Sequence, residues 1–394
     1  MKTPPLKIMS LLAAALTGHA ALAQSFNSGS TGAYGPMNIT SNTTLNLPPD
    51  GIFHCTTIFI TNGATLKFNR NVLNTPVYLL ATSNVSIFGT IDVSGISGLL
   101  PNGGLGGPGG FNGGEGGFDV FPGGDGQGPG GGRGRTSLGG PGDPGAGGYA
   151  TKSTYSSSTN HGAAYGSPLL IPLVGGSGGG GNNGTPGVAG GGGGGGGGAL
   201  LIASSTRITL VGPGAIYANG GTPAGGVGYA SGGAVRLVAP VVASTVPGQG
   251  AVQALGGGSV GGEGRIRIDT TDRTGLVGLS LNGRASFGSF MAVFPGPVPR
   301  LDILDAAGTA IPEGNADPVS ILLPFGSTTN RAVTVQARDF NASVPISVVL
   351  TPESGPSQTY QTNINNTVGN NPATVTVNVT VPVNTKVAVN AWTR

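Results

Sequence analysis

The chain of 394 residues contains 79 glycines and 30 prolines, and only 8% of its residues are charged. So much glycine and proline suggests disorder, but the hydrophobic fraction of 37%, gathered in short runs, excludes a wholly disordered chain. The formal charge of +3 falls to +1 once the two lysines of the first 23 residues are set aside, so the composition does not support nucleic-acid binding.

The first 23 residues have the three parts of a secretory signal peptide. Lys2 and Lys7 form a basic region, residues 8–15 are apolar, and Ala21-Leu22-Ala23 is a cleavage site of small residues around one larger one. The apolar run is too short for a membrane helix, and no later segment has the ~20 apolar residues that such a helix needs. We therefore expect a protein without a transmembrane segment, secreted to the extracellular space or cell surface of a Gram-negative bacterium.

Residues 52–93 contain short stretches rich in Thr, Val and Ile, separated by turn residues. Such stretches predict β-strands, and no window of useful length has the 3.6-residue periodicity of a helix. The stretches are TTIFIT, ATLKF, VYLLAT and VSIFGTIDVSG.

Three segments, 75–95, 197–221 and 232–257, share one internal order. In each, an apolar strand ends in alanine, a polar or proline-bearing corner follows, and two shorter apolar strands complete the unit. The three alanines are Ala81, Ala203 and Ala239. Counted from Ala203 to Ala239, the second and third copies are 36 residues apart.

A repeated unit of three strands and three corners predicts a solenoid, because one unit has no partner for its apolar faces until a second stacks on it. The segments resemble the right-handed parallel β-helix of secreted bacterial proteins of the pectin-lyase-like and adhesin-like kinds, some of which carry glycine-rich insertions. The resemblance implies an all-β fold with a β-helix over residues 24–294. An ordinary β-sandwich is the alternative.

Residues 101–198 form a glycine-rich insertion between the first and second repeats. Residues 101–200 hold 43 of the 79 glycines, and the run Gly190–Gly198 returns the chain to the next apolar strand. Gly-Gly pairs spaced by three suit extended helices of polyproline-II geometry, which bond laterally only where glycine permits close approach. Similar bundles occur in some phage receptor-binding tips and glycine-rich antifreeze proteins. A flexible linker is the alternative; in either case we expect the solenoid to fold without the insertion.

The chain changes character after the proline-rich linker at 295–300. Glycine becomes rarer in residues 301–394, and about seven stretches alternate apolar and polar residues with turn signals roughly every ten residues. This pattern predicts an immunoglobulin-like β-sandwich without a disulfide.

Candidate catalytic residues are few. Galacturonase-type β-helix hydrolases use clustered aspartates as acid and base, together with Gly-His-Gly and Arg-Ile-Lys motifs. The chain has Asn160-His161-Gly162 and Arg265-Ile266-Arg267 but lacks the Asp-Asp and Asn-x-Asp motifs. His161, Asp269 and Asp272 are therefore the catalytic candidates, and a purely structural role is the alternative for each.

Arg265 and Arg267 are the candidate ligand-binding residues. On a strand, Ile266 and Ile268 share one face and the two arginines share the other. We expect the isoleucines to point inward and the arginines outward, where they meet the nearby acids Glu263, Asp269 and Asp272 in surface ion pairs, or an anionic glycan.

No metal site or cofactor is predicted. The mature chain has two histidines and the single Cys55, no metal-ligand spacing, and no nucleotide-binding loop. Cys55 is interpreted as a buried, unreactive thiol.

These patterns favour a secreted, non-enzymatic structural or adhesion protein that contacts carbohydrate or other cell-surface components and not nucleic acid. The alternative is a β-helix protein that binds or degrades polysaccharide, as a lyase or glycoside hydrolase.

Overall fold

The computed structural model describes residues 26–135, 144–153, 160–226, 228–296, 299–315 and 317–394. The predicted signal peptide and part of the predicted linker lie outside these residues. The fold is nearly all-β, with two short 3-10 helices at Gly257–Ser259 and Thr274–Gly278. No helix within the described ranges is long and apolar enough to cross a membrane.

The described residues before residue 289 form sixteen strands. They are β1 (Gly35–Ile39), β2 (Thr43–Asn46), β3 (Ile52–Ile60), β4 (Thr65–Asn69), β5 (Val77–Ala81), β6 (Val85–Ile87), β7 (Thr90–Asp92), β8 (Ala199–Ser204), β9 (Arg207–Leu210), β10 (Ala215–Tyr217), β11 (Ala234–Val238), β12 (Val241–Ser244), β13 (Gly250–Gln253), β14 (Arg265–Asp269), β15 (Leu279–Asn282) and β16 (Arg284–Gly288).

These strands form a large curled parallel sheet of ten strands and a second parallel sheet of six. The ten-stranded sheet has the order β12-β9-β6-β3-β5-β8-β11-β14-β16, with β1 beside β3, and the six-stranded sheet has the order β15-β13-β10-β7-β4-β2. Strands β5, β8, β11 and β14 stack in turn, and so do β7, β10 and β13. The three predicted repeats therefore stack unit on unit, and β8 follows directly on β5 although the insertion separates them in sequence.

The register differs by one residue from the predicted alignment of alanines. Ala203 pairs with Leu80 and with Val238, so strands β8 and β11 are offset by 35 residues rather than 36, whereas β10 and β13 are offset by 36, as Ala215 pairs with Ala251. Ala81 pairs with Ser204. The side-chain alternation of the strands sets this register, because it places Leu200 and Ile202 beside the other inward-facing residues.

Both faces of the strands β5, β8 and β11 are buried. One face contributes to the main core, which contains Val77, Leu200 and Val235. The opposite face is covered by side chains of the insertion and of the segment after β16, namely Tyr149, Leu170, Leu173 and Val293. The insertion therefore supplies part of the core on this face of the parallel sheet. That the solenoid folds without the insertion stays a prediction, which a thermal melt of a deletion variant tests.

The nine glycines Gly190–Gly198 lie at the centre of an ordered bundle of extended segments. We call this the glycine bundle: residues 93–135, 144–149, 160–165, 174–198, 218–226 and 228–233. The amides of the run donate in rotation to three neighbours, at distances of 2.6–3.0 Å. Gly190, Gly193 and Gly196 donate to segment 111–117, Gly192, Gly195 and Gly198 to segment 93–99, and Gly194 and Gly197 to segment 228–231.

The rotation of partners at every third residue is what a helix with three residues per turn produces. Carbonyls of the same run accept from three further neighbours, the segments 104–107, 176–182 and 221–224. The run Gly190–Gly198 is thus hydrogen-bonded to six neighbouring segments. This arrangement favours the polyproline-II interpretation of these residues over the flexible linker.

The segments of the glycine bundle lie so close together that most side chains larger than hydrogen would overlap a neighbouring backbone. A Cβ on Gly196 would lie 1.9 Å from the Gly176 carbonyl oxygen, and one on Gly145 would lie 1.7 Å from the Asn160 carbonyl oxygen. The entropic cost of ordering glycine is offset by hydrogen bonds that no larger residue permits.

From Arg300 onward, the described residues form eight strands in two four-stranded antiparallel sheets, with the orders β18-β17-β20-β23 and β19-β24-β21-β22. The two sheets share one apolar core that includes Val335, Ile346 and Val387. The strands are β17 (Arg300–Ala306), β18 (Thr309–Ala310), β19 (Ser320–Leu322), β20 (Asn330–Arg338), β21 (Ala342–Pro352), β22 (Gln358–Asn366), β23 (Ala373–Thr380) and β24 (Lys386–Thr393).

Candidate functional site

Strand β14 places its isoleucines and arginines on opposite faces, as the alternation predicts. Ile266 and Ile268 are fully buried in the main core. Arg267 lies on the outer face but is only 8% exposed. Arg267 meets a nearby acid as expected, but its pair with Asp269 is buried rather than on the surface, and its Nη1 also donates to the Phe287 carbonyl of β16 at 3.3 Å. The prediction of a solvent-facing arginine at this position is therefore wrong.

Asp269 is the centre of a buried ion-pair network. Its carboxylate is fully buried; Oδ1 accepts from the Arg267 guanidinium at 2.7 and 3.0 Å, and Oδ2 accepts from Arg236 at 3.1 and 3.3 Å. Oδ1 also accepts from the backbone amide of Phe290 at 3.0 Å. Two guanidinium groups and an amide thus occupy both oxygens, which leaves this carboxylate neither the access nor the lone pairs to serve as a base.

Arg236 completes the network and was missed by the sequence analysis. It is 1% exposed, and its Nη2 also donates to the carbonyls of Phe290 and Ala292 at 3.1 and 2.9 Å. Burial lowers the pKa of its guanidinium, and the neighbouring Asp269 carboxylate opposes that shift. The feature of the sequence that indicates this residue is an arginine within the apolar run AVRLV of β11. In the sheet, Arg236 pairs in register with Arg267.

The Arg265 side chain contacts two residues of the glycine bundle. Its Nε and Nη2 donate to the Tyr165 carbonyl at 3.2 and 2.7 Å, and its guanidinium lies 5.5 Å from the ring centroid of Tyr149. Burial raises the pKa of both tyrosine hydroxyls above the ordinary value. The described contacts of Arg265 are therefore internal.

The remaining candidates do not join Asp269 in one described cluster. Asp272 accepts from the amide and hydroxyl of Thr274 at 2.9 and 2.6 Å, and these bonds lower its pKa. His161 lies in the insertion, where its Nδ1 accepts from the Ala146 amide at 3.1 Å. Glu263 forms an exposed ion pair with Arg284 at 2.7 Å.

Across the described ranges, no group of three or more His, Cys, Asp or Glu side chains has an arrangement that could hold a metal ion. Cys55 is fully buried, and burial raises the pKa of its thiol to about 12. It therefore stays protonated and unreactive at neutral pH.

A polar row crosses the six-stranded sheet and was not predicted. One outward side chain from each strand stands in register with the next, at the strand spacing of about 4.8 Å. The polar row consists of Thr44, Lys67, Asp92, Tyr217, Gln253 and Asn282. Lys67 and Asp92 form an ion pair at 3.2 Å, and a groove of about 430 Å³ runs beside them, lined also by Thr65 and Thr90.

No protein-family model, curated protein or solved structure matches this chain. The geometry of its own side chains is therefore the basis for assigning a function.

Proposed function

We propose that this chain is a secreted, non-catalytic structural or adhesion protein of a bacterial surface. The observation that carries the proposal is the buried Asp269 network, in which the best-placed acid of the predicted catalytic set stabilises the fold instead of facing a substrate. The curled parallel sheet supports a right-handed β-helix as its stalk. The two antiparallel sheets around one core support an immunoglobulin-like C-terminal unit.

The glycine bundle suits such a role because its hydrogen bonds lie in several directions around each segment. A bundle bonded laterally in this way holds its shape without a large apolar core, and it projects the turns at its ends as contact surfaces. Six large apolar side chains at these turns are between 50% and 66% exposed, namely Leu99, Leu100, Phe118, Val120, Phe121 and Val188. Exposed apolar clusters of this kind are typical of contact surfaces.

We expect the purified protein to show no turnover of pectin, alginate or other uronic-acid polymers. Reducing ends and unsaturated products, measured over hours, are the readout. The matched variants His161→Ala and Asp272→Ala each remove one remaining candidate. Sustained product formation that either variant abolishes, with an unchanged circular dichroism spectrum, would overturn the proposal.

A second candidate function is binding of a polysaccharide along the polar row. The specific observation is the regular repeat of hydroxyl, amide and charged groups over six strands beside a groove. Hydroxyl and amide side chains offer both donors and acceptors to sugar hydroxyls, and Tyr217 adds an aromatic ring on which a sugar can stack.

For this second function we expect Tyr217→Ala to weaken binding about five- to tenfold, because a stacked ring contributes on the order of 1 kcal/mol. Affinity electrophoresis in gels containing neutral or acidic polysaccharides measures the change. Tyr34→Ala is the matched control, since Tyr34 is 49% exposed and lies outside the polar row. Equal retardation of wild type and both variants would exclude the polar row as the binding surface.

A further inference from the structure

A cleft of about 360 Å³ separates the C-terminal sheets from the glycine bundle. Its walls come from β24, from the bundle segment around Phe111 and from the corner around Pro76. The rings of Phe111 and Trp392 meet edge to face, with centroids 5.2 Å apart and planes at 88°. The two aromatic side chains therefore form an apolar wall that spans the junction.

Strand β24 and the loop between β18 and β19 place polar groups along the same cleft. Val389 and Ala391 belong to the core of the antiparallel sheets, so Asn390 and Trp392 face the opposite side of the strand. Asn390, Asn315 and Asp317 line the cleft, and Asp317 is exposed. Amide and carboxylate groups beside an aromatic wall provide both hydrogen bonding and stacking.

The indole N–H of Trp392 is buried and has no hydrogen-bond partner among the described residues. A buried donor without an acceptor is unfavourable. The cleft therefore has amide and carboxylate groups, an aromatic wall and, within that wall, a buried donor that lacks an acceptor among the described residues.

The charge of the cleft restricts what it accepts. Among the described lining residues there are two carboxylates, Asp302 and Asp317, and no lysine or arginine. The carboxylate of Asp302 is already bonded to Arg300 and to the Gly314 amide, whereas Asp317 is exposed. Like-charge repulsion disfavours anionic ligands such as uronic-acid chains.

We propose that this cleft binds a neutral saccharide, stacked against Trp392 and Phe111 and hydrogen-bonded to Asn390 and Asp317. The inference rests on the proposed extracellular adhesion role and names a ligand class for it. The site is distinct from the polar row of the six-stranded sheet. A volume of about 360 Å³ lies within the usual range for a small-ligand pocket.

Tryptophan fluorescence tests the proposal directly, because Trp392 is the only tryptophan in the chain. We expect cellotetraose, xylotetraose or laminaritetraose to shift or quench its emission with saturation, and trigalacturonate to leave it unchanged. Isothermal titration calorimetry on the same samples measures the affinity.

The variants Asn390→Ala and Asp317→Ala are each expected to weaken that affinity about five- to tenfold, the effect of losing one or two hydrogen bonds. Asn378→Ala, an exposed amide on β23, is the matched control and should bind as wild type does. Trp392→Phe keeps a ring in the wall but removes the N–H, and calorimetry should show weaker binding. Thermal unfolding curves verify that every variant is folded.

Three results would overturn the cleft site. One is calorimetric binding without a change in Trp392 emission; another is binding lost in Tyr217→Ala but unchanged in Asn390→Ala and Asp317→Ala. Either would leave the proposed adhesion role intact. The third is failure of all the neutral tetrasaccharides to bind while the protein still adheres to bacterial cells, which would reject the saccharide and keep the adhesion.

Discussion

Replacing Gly196 with alanine is expected to destabilise the protein by about 3 kcal/mol or more, because overpacking against fixed atoms exceeds the usual cost of an added methyl group. The new Cβ would lie 1.9 Å from the Gly176 oxygen and 2.3 Å from its carbonyl carbon. Both are backbone atoms, so no side-chain rotation relieves the clash. Urea unfolding, followed by circular dichroism and Trp392 emission, measures the loss.

Two glycine substitutions serve as controls for this result. Gly369 has open space where a Cβ would be placed, so Gly369→Ala should leave the unfolding midpoint nearly unchanged. Gly187 lies in the insertion with open space and a φ of +73°, a conformation that asparagine tolerates, so Gly187→Asn should cost little. If Gly196→Ala unfolds at the same urea concentration as these controls, the lateral packing of the bundle is not what stabilises the protein.

Replacing Asp269 with alanine is expected to cost about 3–5 kcal/mol, because it leaves buried arginines without a counter-charge. Arg236 and Arg267 are 1% and 8% exposed, and both donate to this carboxylate. The Phe290 amide also loses its acceptor. The same urea titration measures this change, and a lower thermal midpoint should accompany it.

The exposed pair of Glu263 and Arg284 provides the matched control. Its side chains are 42% and 65% exposed, so Glu263→Ala should change stability by less than about 1 kcal/mol. A comparable small effect for Asp269→Ala would contradict the buried network. It would also remove the main argument for a structural role of this aspartate.

Much of the parallel part of the fold follows from local sequence. Runs such as VYLLAT and the repeated order of strand, corner and strand predict short strands that stack unit on unit, and β5, β8 and β11 do so. Strands β5 and β8 also pair directly, although the glycine-rich segment separates them in sequence. These successes have one cause, since strand alternation and turn residues act over a few neighbouring residues.

The candidate site was predicted less well. The inward positions of Ile266 and Ile268 follow from alternation alone, whereas the buried Arg267 donates to Asp269 and to the Phe287 carbonyl of the next stacked strand, β16. Arg236 joins Asp269 from 33 residues away, and the polar row draws one residue from each of six strands. Such groupings depend on the register between strands, which local patterns do not determine to within one residue.

The sequence by itself determined most strands between residues 52 and 93 and in the two later repeats, the inward positions of Ile266 and Ile268, and a glycine-rich segment between β5 and β8; strands β1 and β2 were not predicted. Only the tertiary structure decided that the segments of the insertion bond to one another and cover the parallel sheet. The physical reason is that a polyproline-II segment has no hydrogen bonds of its own. Its order comes from neighbours distant in sequence, as when the Gly104 amide donates to the Gly193 carbonyl.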